Sequence, residues 1–271
     1  MKTYVINLDK HIDNFNKQKP ILESVGLDIE RFSGINALEN EHLKYKKHIH
    51  KLALLFTPKS AIGCSLSHIL LAQHILKHKS DIKYDNSYVL IMEDDAYPIE
   101  KDSIMFQEKL RKCIDNINIL DAKWDIIQLH SDFIFPSHKT FSTHPFCGST
   151  AAYLISYRGL IKMANLKTTS HIDAHTSISL KFRKYRIKEN LFWTDEKNST
   201  NRIDYKNILL KLKHNILSKI LPLRGEKTWS NYLNFKFIRL PGLGKEFTLD
   251  QIINYLISYF IVKKLLYKKL I

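Results

Sequence analysis

Groups capable of chemistry concentrate first at Glu93-Asp94-Asp95, three consecutive carboxylates that follow the apolar run Ser87-Tyr88-Val89-Leu90-Ile91-Met92. Adjacent acids repel one another. Placing them where a buried strand emerges is costly unless a cation sits among them, and a hard divalent ion with oxygen ligands suits such a set. The carboxyl ends of strands in an open α/β sheet are also where ligands bind. A solvated acidic turn is the alternative, and the triplet alone does not separate the two. The other groups fit for proton chemistry are Asp173, in His171-Ile172-Asp173-Ala174-His175, and His68, on a segment shared with Cys64, Leu71 and Ile75. Taken alone, Asp173 reads as the cap of a helix over 174–184 and His68 as a satisfied core histidine.

To hold these groups the chain must build strands and cover them. Residues 3–8 have a strand pattern, 12–24 carry a helical one, and 29–33 read as a second strand ahead of Gly34, which makes a βαβ opening. Residues 36–56 are irregular and rich in Lys and His. Thr57-Pro58 marks a helix start that continues over 61–78. The strand ending at Glu93 comes next, then a helix over 103–116 and strands over 124–129 and 150–155. This alternation predicts an α/β sheet, with a boundary at 198–205 before a basic tail.

The 271 residues, 44 % of them hydrophobic, suffice for a substantial core in one large domain or two small ones. No apolar segment of about 7–15 residues follows the N-terminus as in a signal peptide. The longest apolar-rich stretch, 252–262, is shorter than the roughly 20 residues that span a bilayer. Cys64, Cys113 and Cys147 lack metal-site or disulfide spacing, which predicts reduced thiols in a cytosolic protein. The formal charge is +15, and residues 205–271 carry 13 Lys/Arg against 3 Asp/Glu, so most of the excess lies in the tail. Such a surface attracts anionic lipid, nucleic acid or a phosphorylated acceptor. No Gly-rich phosphate loop with Lys-Ser/Thr is present to support phosphoryl transfer, and the tail has no nucleic-acid fold signature, so no nucleic-acid partner is expected.

Read in order, Val5-Ile6-Asn7-Leu8, Gly63-Cys64-Ser65-Leu66-Ser67-His68, Glu93-Asp94-Asp95, Gly148-Ser149-Thr150-Ala151-Ala152-Tyr153-Leu154-Ile155-Ser156 and Ile172-Asp173 resemble glycosyltransferase family 25 over about residues 3–200. These are the lipooligosaccharide and collagen galactosyltransferase-like enzymes. The resemblance implies a GT-A type fold, a Rossmann-like mixed sheet flanked by helices, in a catalytic domain at 1–200 with a basic, mostly helical extension at 201–271. It further implies transfer with inversion of a sugar, most commonly galactose from UDP-galactose, onto a hydroxyl of a bacterial lipooligosaccharide or lipopolysaccharide glycan, assisted by Mn²⁺ or Mg²⁺.

By the same resemblance Asp95 is expected to ligate the metal, and Glu93 and Asp94, with Ile6, Asn7, Leu8, Ser67 and His68, to line the donor site. Asp173 is the expected catalytic base. The chemistry agrees: a departing nucleoside diphosphate carries charge that a divalent cation offsets, and direct displacement needs a carboxylate to take the acceptor's proton. Asp195, Ser199 and Thr200 resemble a closing loop of the family. An arginine commonly follows the family's first strand, whereas here none occurs before Arg31. Residues 249–269 place apolar side chains on one helical side and lysines at the end, which suits either an interfacial helix on anionic lipid or packing on the catalytic domain or a second subunit. The expected location is cytoplasmic, peripheral on the inner face of the cytoplasmic membrane. The expected partners are a nucleotide-sugar donor, a glycan or lipid-linked acceptor and an anionic membrane surface. The competing classes are a Mg²⁺-dependent phosphoryl-transfer enzyme and a basic membrane- or nucleic-acid-binding module without catalysis.

Overall fold

The computed structural model describes residues 1–78, 87–131, 141–142, 149–173, 176, 181–195, 236–239, 246–248, 252–253 and 256. Strand β1 (Lys2–Asn7) is buried on both faces, as a central strand must be when helices cover both sides of a sheet. Helix α1 (Ile12–Ser24) follows and closes at Gly26, whose φ of +79° needs a residue without Cβ. The chain returns as β2 (Asp28–Ser33), parallel to β1. Short 3₁₀ turns and α2 (Lys51–Phe56) occupy the irregular segment, and α3 (Lys59–His78) begins after Pro58. The Thr57 hydroxyl ahead of it donates to the carbonyl of Thr169 at 3.1 Å.

Strand β3 (Tyr88–Glu93) lies parallel to β1 on the side away from β2. Then come β4 (Ala96–Pro98) and α4 (Ser103–Leu120), started by Asp102, whose carboxylate accepts the Met105 N–H at 2.9 Å. The remaining elements are β5 (Ile126–Gln128), β6 (Phe141–Ser142), β7 (Ala152–Ser156), α5 (Tyr157–Ala164), β8 (Lys184–Ile187), β9 (Phe192–Thr194), β10 (Lys236–Arg239) and β11 (Glu246–Thr248). Among the described residues, seven strands form one sheet in the order β2-β1-β3-β7-β5-β8-β6. Strand β7 runs antiparallel to both of its neighbours, which makes the sheet mixed.

The period of two along each strand divides the core. Val5, Leu90, Met92, Ile127 and Leu154 pack with Phe15 and Leu22 of α1 and Phe106 and Leu110 of α4. Tyr4, Ile6, Val89, Ile91, Tyr153 and Ile155 pack with Ile69, Leu71 and Ile75 of α3 and Leu160 and Met163 of α5. Each fully buried Leu, Ile or Phe contributes about 1.5–3 kcal/mol. The β1–α1–β2 and β2–α3–β3 crossovers therefore cover opposite faces, and the carboxyl ends of β1 and β3 open side by side at one edge. That is the mixed α/β architecture expected from the sequence.

The helix expected over 174–184 is different. Ile172 and Asp173 are already helical, so Asp173 is not the residue preceding the first turn, and Lys184 opens β8 beside β5. Toward the C-terminus, β10 and β11 form an antiparallel ribbon, and Ile252, Ile253 and Leu256 are helical. The rest of the 249–269 segment lies outside the described residues, as do Cys147, Gly148, Ala174, His175, Ser199 and Thr200. Among the described residues no helix is long and apolar enough to cross a membrane.

Candidate active site

A cleft of about 190 Å³ opens at the carboxyl ends of β1 and β3. Ile6, Leu8, Ser67, His68, Glu93, Asp94 and Asp95 all line it, seven of the nine residues expected to ligate the metal, line the donor site or act as base. The two others stand behind it. Asn7 is 1 % exposed, and its side chain donates to Asp94 Oδ2 at 2.6 Å and to the His11 carbonyl at 2.8 Å. Its Oδ1 accepts from Arg31 Nε at 2.8 Å. Asn7 thus orients Asp94, and Arg31, the register partner of Val5 on β2, reaches Asn7 and Asp9.

Asp94 and Asp95 occupy the turn between β3 and β4. Fully buried Gln18, on α1, ties that turn shut, its amide donating to the carbonyls of Glu93 at 2.9 Å and Ala96 at 2.5 Å. The sequence signal was available: Gln18 is a polar residue on the apolar stripe of Phe15 and Leu22. Gln18→Leu preserves the shape but removes the donor from two carbonyls. The expected loss in urea unfolding is about 1–3 kcal/mol, together with weaker binding of divalent cation in titration calorimetry. An unchanged midpoint with unchanged cation affinity would show that the turn holds without it.

On the opposite wall, Gly63 lets α3 approach the chain after β2, because a Cβ there would stand 2.5 Å from the Ile35 carbonyl. Ser67 fastens this contact, donating to the Gly63 carbonyl and accepting from the Ile35 N–H, both at 2.8 Å. The next residue is His68, 0 % exposed, with Nδ1 2.8 Å from the Tyr153 hydroxyl and Nε2 3.4 Å from Glu93 Oε1. His68 is thus buried in the core and also lies at the cleft beside Glu93.

Behind Glu93 lies a second carboxylate. The Thr150 hydroxyl is 2.8 Å from Glu93 Oε1 and 2.9 Å from Asp173 Oδ1, and the Thr150 N–H also donates to Asp173 Oδ1 at 2.8 Å. One hydroxyl proton cannot serve both acids, so the arrangement favours one ionised and one protonated carboxyl. The electrostatics agree. Burial and the charge of Glu93 push Asp173 up to about 6. Burial also acts against ionisation of Glu93, but His68, Thr150 and His130 outweigh it and hold Glu93 below the usual range. Asp94 is raised, by burial first and then by Glu93.

The β4–β9 ribbon completes the cleft. Its antiparallel register pairs Ala96 with Thr194 and Tyr97 with Trp193, and the Asp195 N–H donates to the Asp95 carbonyl at 2.8 Å. Asp195 therefore enters the cleft beside Asp95. Two acids side by side at a polar edge of the cleft could hold a hard cation, which takes oxygen ligands. The nitrogen, sulfur and oxygen set of Cys64, His68 and Glu93, whose ligand atoms lie within 4.8 Å of one another, fits manganese less well. Burial, then Glu93, Asp173 and Asp95, drive the Cys64 thiol far above its ordinary range, so a thiolate is disfavoured there.

A family model described as glycosyltransferase family 25 (LPS biosynthesis protein) matches residues 1–178. No curated protein matches the chain. Among solved structures, the crystal structure of a glycosyltransferase involved in the glycosylation of the major capsid of PBCV-1 is similar, with 13 % identity over 73 % of this chain and 93 % of that one, at a TM-score of 0.41.

Proposed function

The chain belongs to glycosyltransferase family 25, and from this premise we propose that it is an inverting, metal-assisted transferase moving a sugar from a nucleotide donor, galactose from UDP-galactose being the first candidate, onto a hydroxyl of a bacterial surface glycan. The observation that carries the proposal is the meeting of Asp94, Asp95 and Asp195 in one cleft at the carboxyl ends of β1 and β3. Asp95 and Asp195 would hold a divalent cation, Mn²⁺ or Mg²⁺, which when bound offsets the charge of the departing diphosphate. Ile6 and Leu8 provide an apolar wall for the nucleoside, with Ser67 and Asp94 as polar contacts at its edge.

The acceptor's proton passes to the chain of groups Glu93, Thr150 and Asp173. Above about pH 6, where both carboxyls start ionised, Glu93 takes the proton as the acceptor O–H breaks and delivers it to the Thr150 oxygen, whose own proton moves to Asp173, the more basic carboxylate, leaving one ionised and one protonated acid. The short Thr150 contacts to both acids support this route. Lipopolysaccharide-type acceptors and a site of action on the inner face of the cytoplasmic membrane accord with the family description and the basic tail. The test is a screen of UDP-, GDP- and CMP-sugars for nucleotide release, with and without Mn²⁺. Release from one UDP-sugar that is abolished by EDTA is the expected result; no release from any donor, or full release in excess EDTA, overturns the reading.

A further inference from the structure

Within the β4–β9 ribbon the side chains alternate, so Asp95 and Tyr97 share a face with Trp193 and Asp195. At one end of that face stand the two acids. At the other, Tyr97 and Trp193 stack with centroids 5.1 Å apart and planes 26° from parallel. Tyr97 lines the cleft together with Asp94, Asp95 and Asp195. Trp193 remains 46 % exposed at the rim.

We propose that the Tyr97–Trp193 stack is the platform on which the acceptor's sugar ring lies, a proposal that rests on the transferase reading. Large aromatic surface at a solvent-facing rim is costly to leave wet, and an indole face offers a rigid plane for the C–H face of a pyranose. One two-residue step along a strand is about 7 Å, so a ring on this plane reaches the acids with its hydroxyls. In the transferase reading the nucleoside lies against Ile6 and Leu8 of the β1 end, where Ile6 is the register partner of Glu93, whereas the stack lies on the β4–β9 ribbon beyond Asp95. A ring entering from solvent beside Trp193 is therefore the acceptor's, with the remainder of its glycan left outside.

Saturation-transfer NMR on the full chain, with methyl β-galactoside, methyl β-glucoside and methyl α-mannoside as probes, tests the platform. At least one probe should receive saturation on one face of its ring. Trp193→Phe should keep the signal, Trp193→Ala should weaken that binding roughly three- to tenfold, and UDP affinity by calorimetry should stay within about twofold. Equal signals from the alanine variant overturn the proposal, as does no transfer from the wild type to any probe. A Trp193→Ala variant that loses UDP affinity instead overturns it too, because the stack would then hold the base. Failure of the transferase reading is distinct, since it appears as absent nucleotide release whatever the glycosides do.

Discussion

Asp95→Asn is expected to lower metal-dependent sugar transfer by a factor on the order of 10²–10³, the usual cost of losing a group that stabilises developing charge. The fold should survive the change. The main-chain link from the Asp195 N–H to the Asp95 carbonyl does not involve the carboxylate, and Gln18 holds the turn through the carbonyls of its neighbours. Loss should therefore appear in turnover and in Mn²⁺-dependent donor binding, with thermal unfolding nearly unchanged. Asp195→Asn should share the phenotype in weaker form. If the Asp95 variant turns over like the wild type, the cation site lies elsewhere, and the cluster of Cys64, His68 and Glu93 becomes the place to look.

The second large effect is expected at Asp173, and it is double. Asp173→Asn keeps an oxygen to accept the Thr150 N–H but removes the most basic carboxylate of the relay. Transfer should fall roughly 10²-fold or more while donor and metal affinities stay within a few-fold. Stability should change in the opposite direction. The folded chain holds the Asp173 proton up to about pH 6, whereas the unfolded value is near 3.8, so between these values the folded state binds more protons. The favourable contribution of this group is then complete below about pH 4 and lost as pH rises through 6. An asparagine never ionises, so the variant should be more stable than the wild type at pH 8 and equal to it near pH 4. Urea unfolding at the two pH values, beside a rate assay, checks both halves. A variant that is stabilised at pH 8 yet keeps full turnover would make Asp173 a buried neighbour of Glu93 with no part in proton transfer.

Much of this arrangement could be read from the residues. The strands with Val5, Ile6, Leu90 and Met92 were legible because alternate positions bury on two helix-covered faces, and Glu93-Asp94-Asp95 stood out because charge follows such a run without a break. What escaped depends on pairing over long distances. Thr150 reaches Glu93 only because β7 runs against β3, and strand direction leaves no mark on hydrophobic period. The three-residue strands β4 and β9 are too short to show a period, so the approach of Asp195 to Asp95 was visible only as an aspartate after Trp193-Thr194. No strand is expected at Lys184-Tyr185-Arg186-Ile187, a segment whose first residue ends the helix expected over 174–184. Its burial as a strand beside β5 is supplied by the sheet and not by its own composition.

The thiol of Cys64 has a practical consequence. It lines the cleft, yet burial and three carboxylates hold it in the unreactive protonated form. Since alkylation and peroxide attack proceed through the thiolate, Cys64 should resist both at neutral pH, and the cleft is protected from oxidation to a sulfenic acid. A protein handled without reductant should keep this part of its architecture intact, and iodoacetamide at pH 7.5 should leave Cys64 unlabelled in the folded chain and label it once urea removes the surrounding charges.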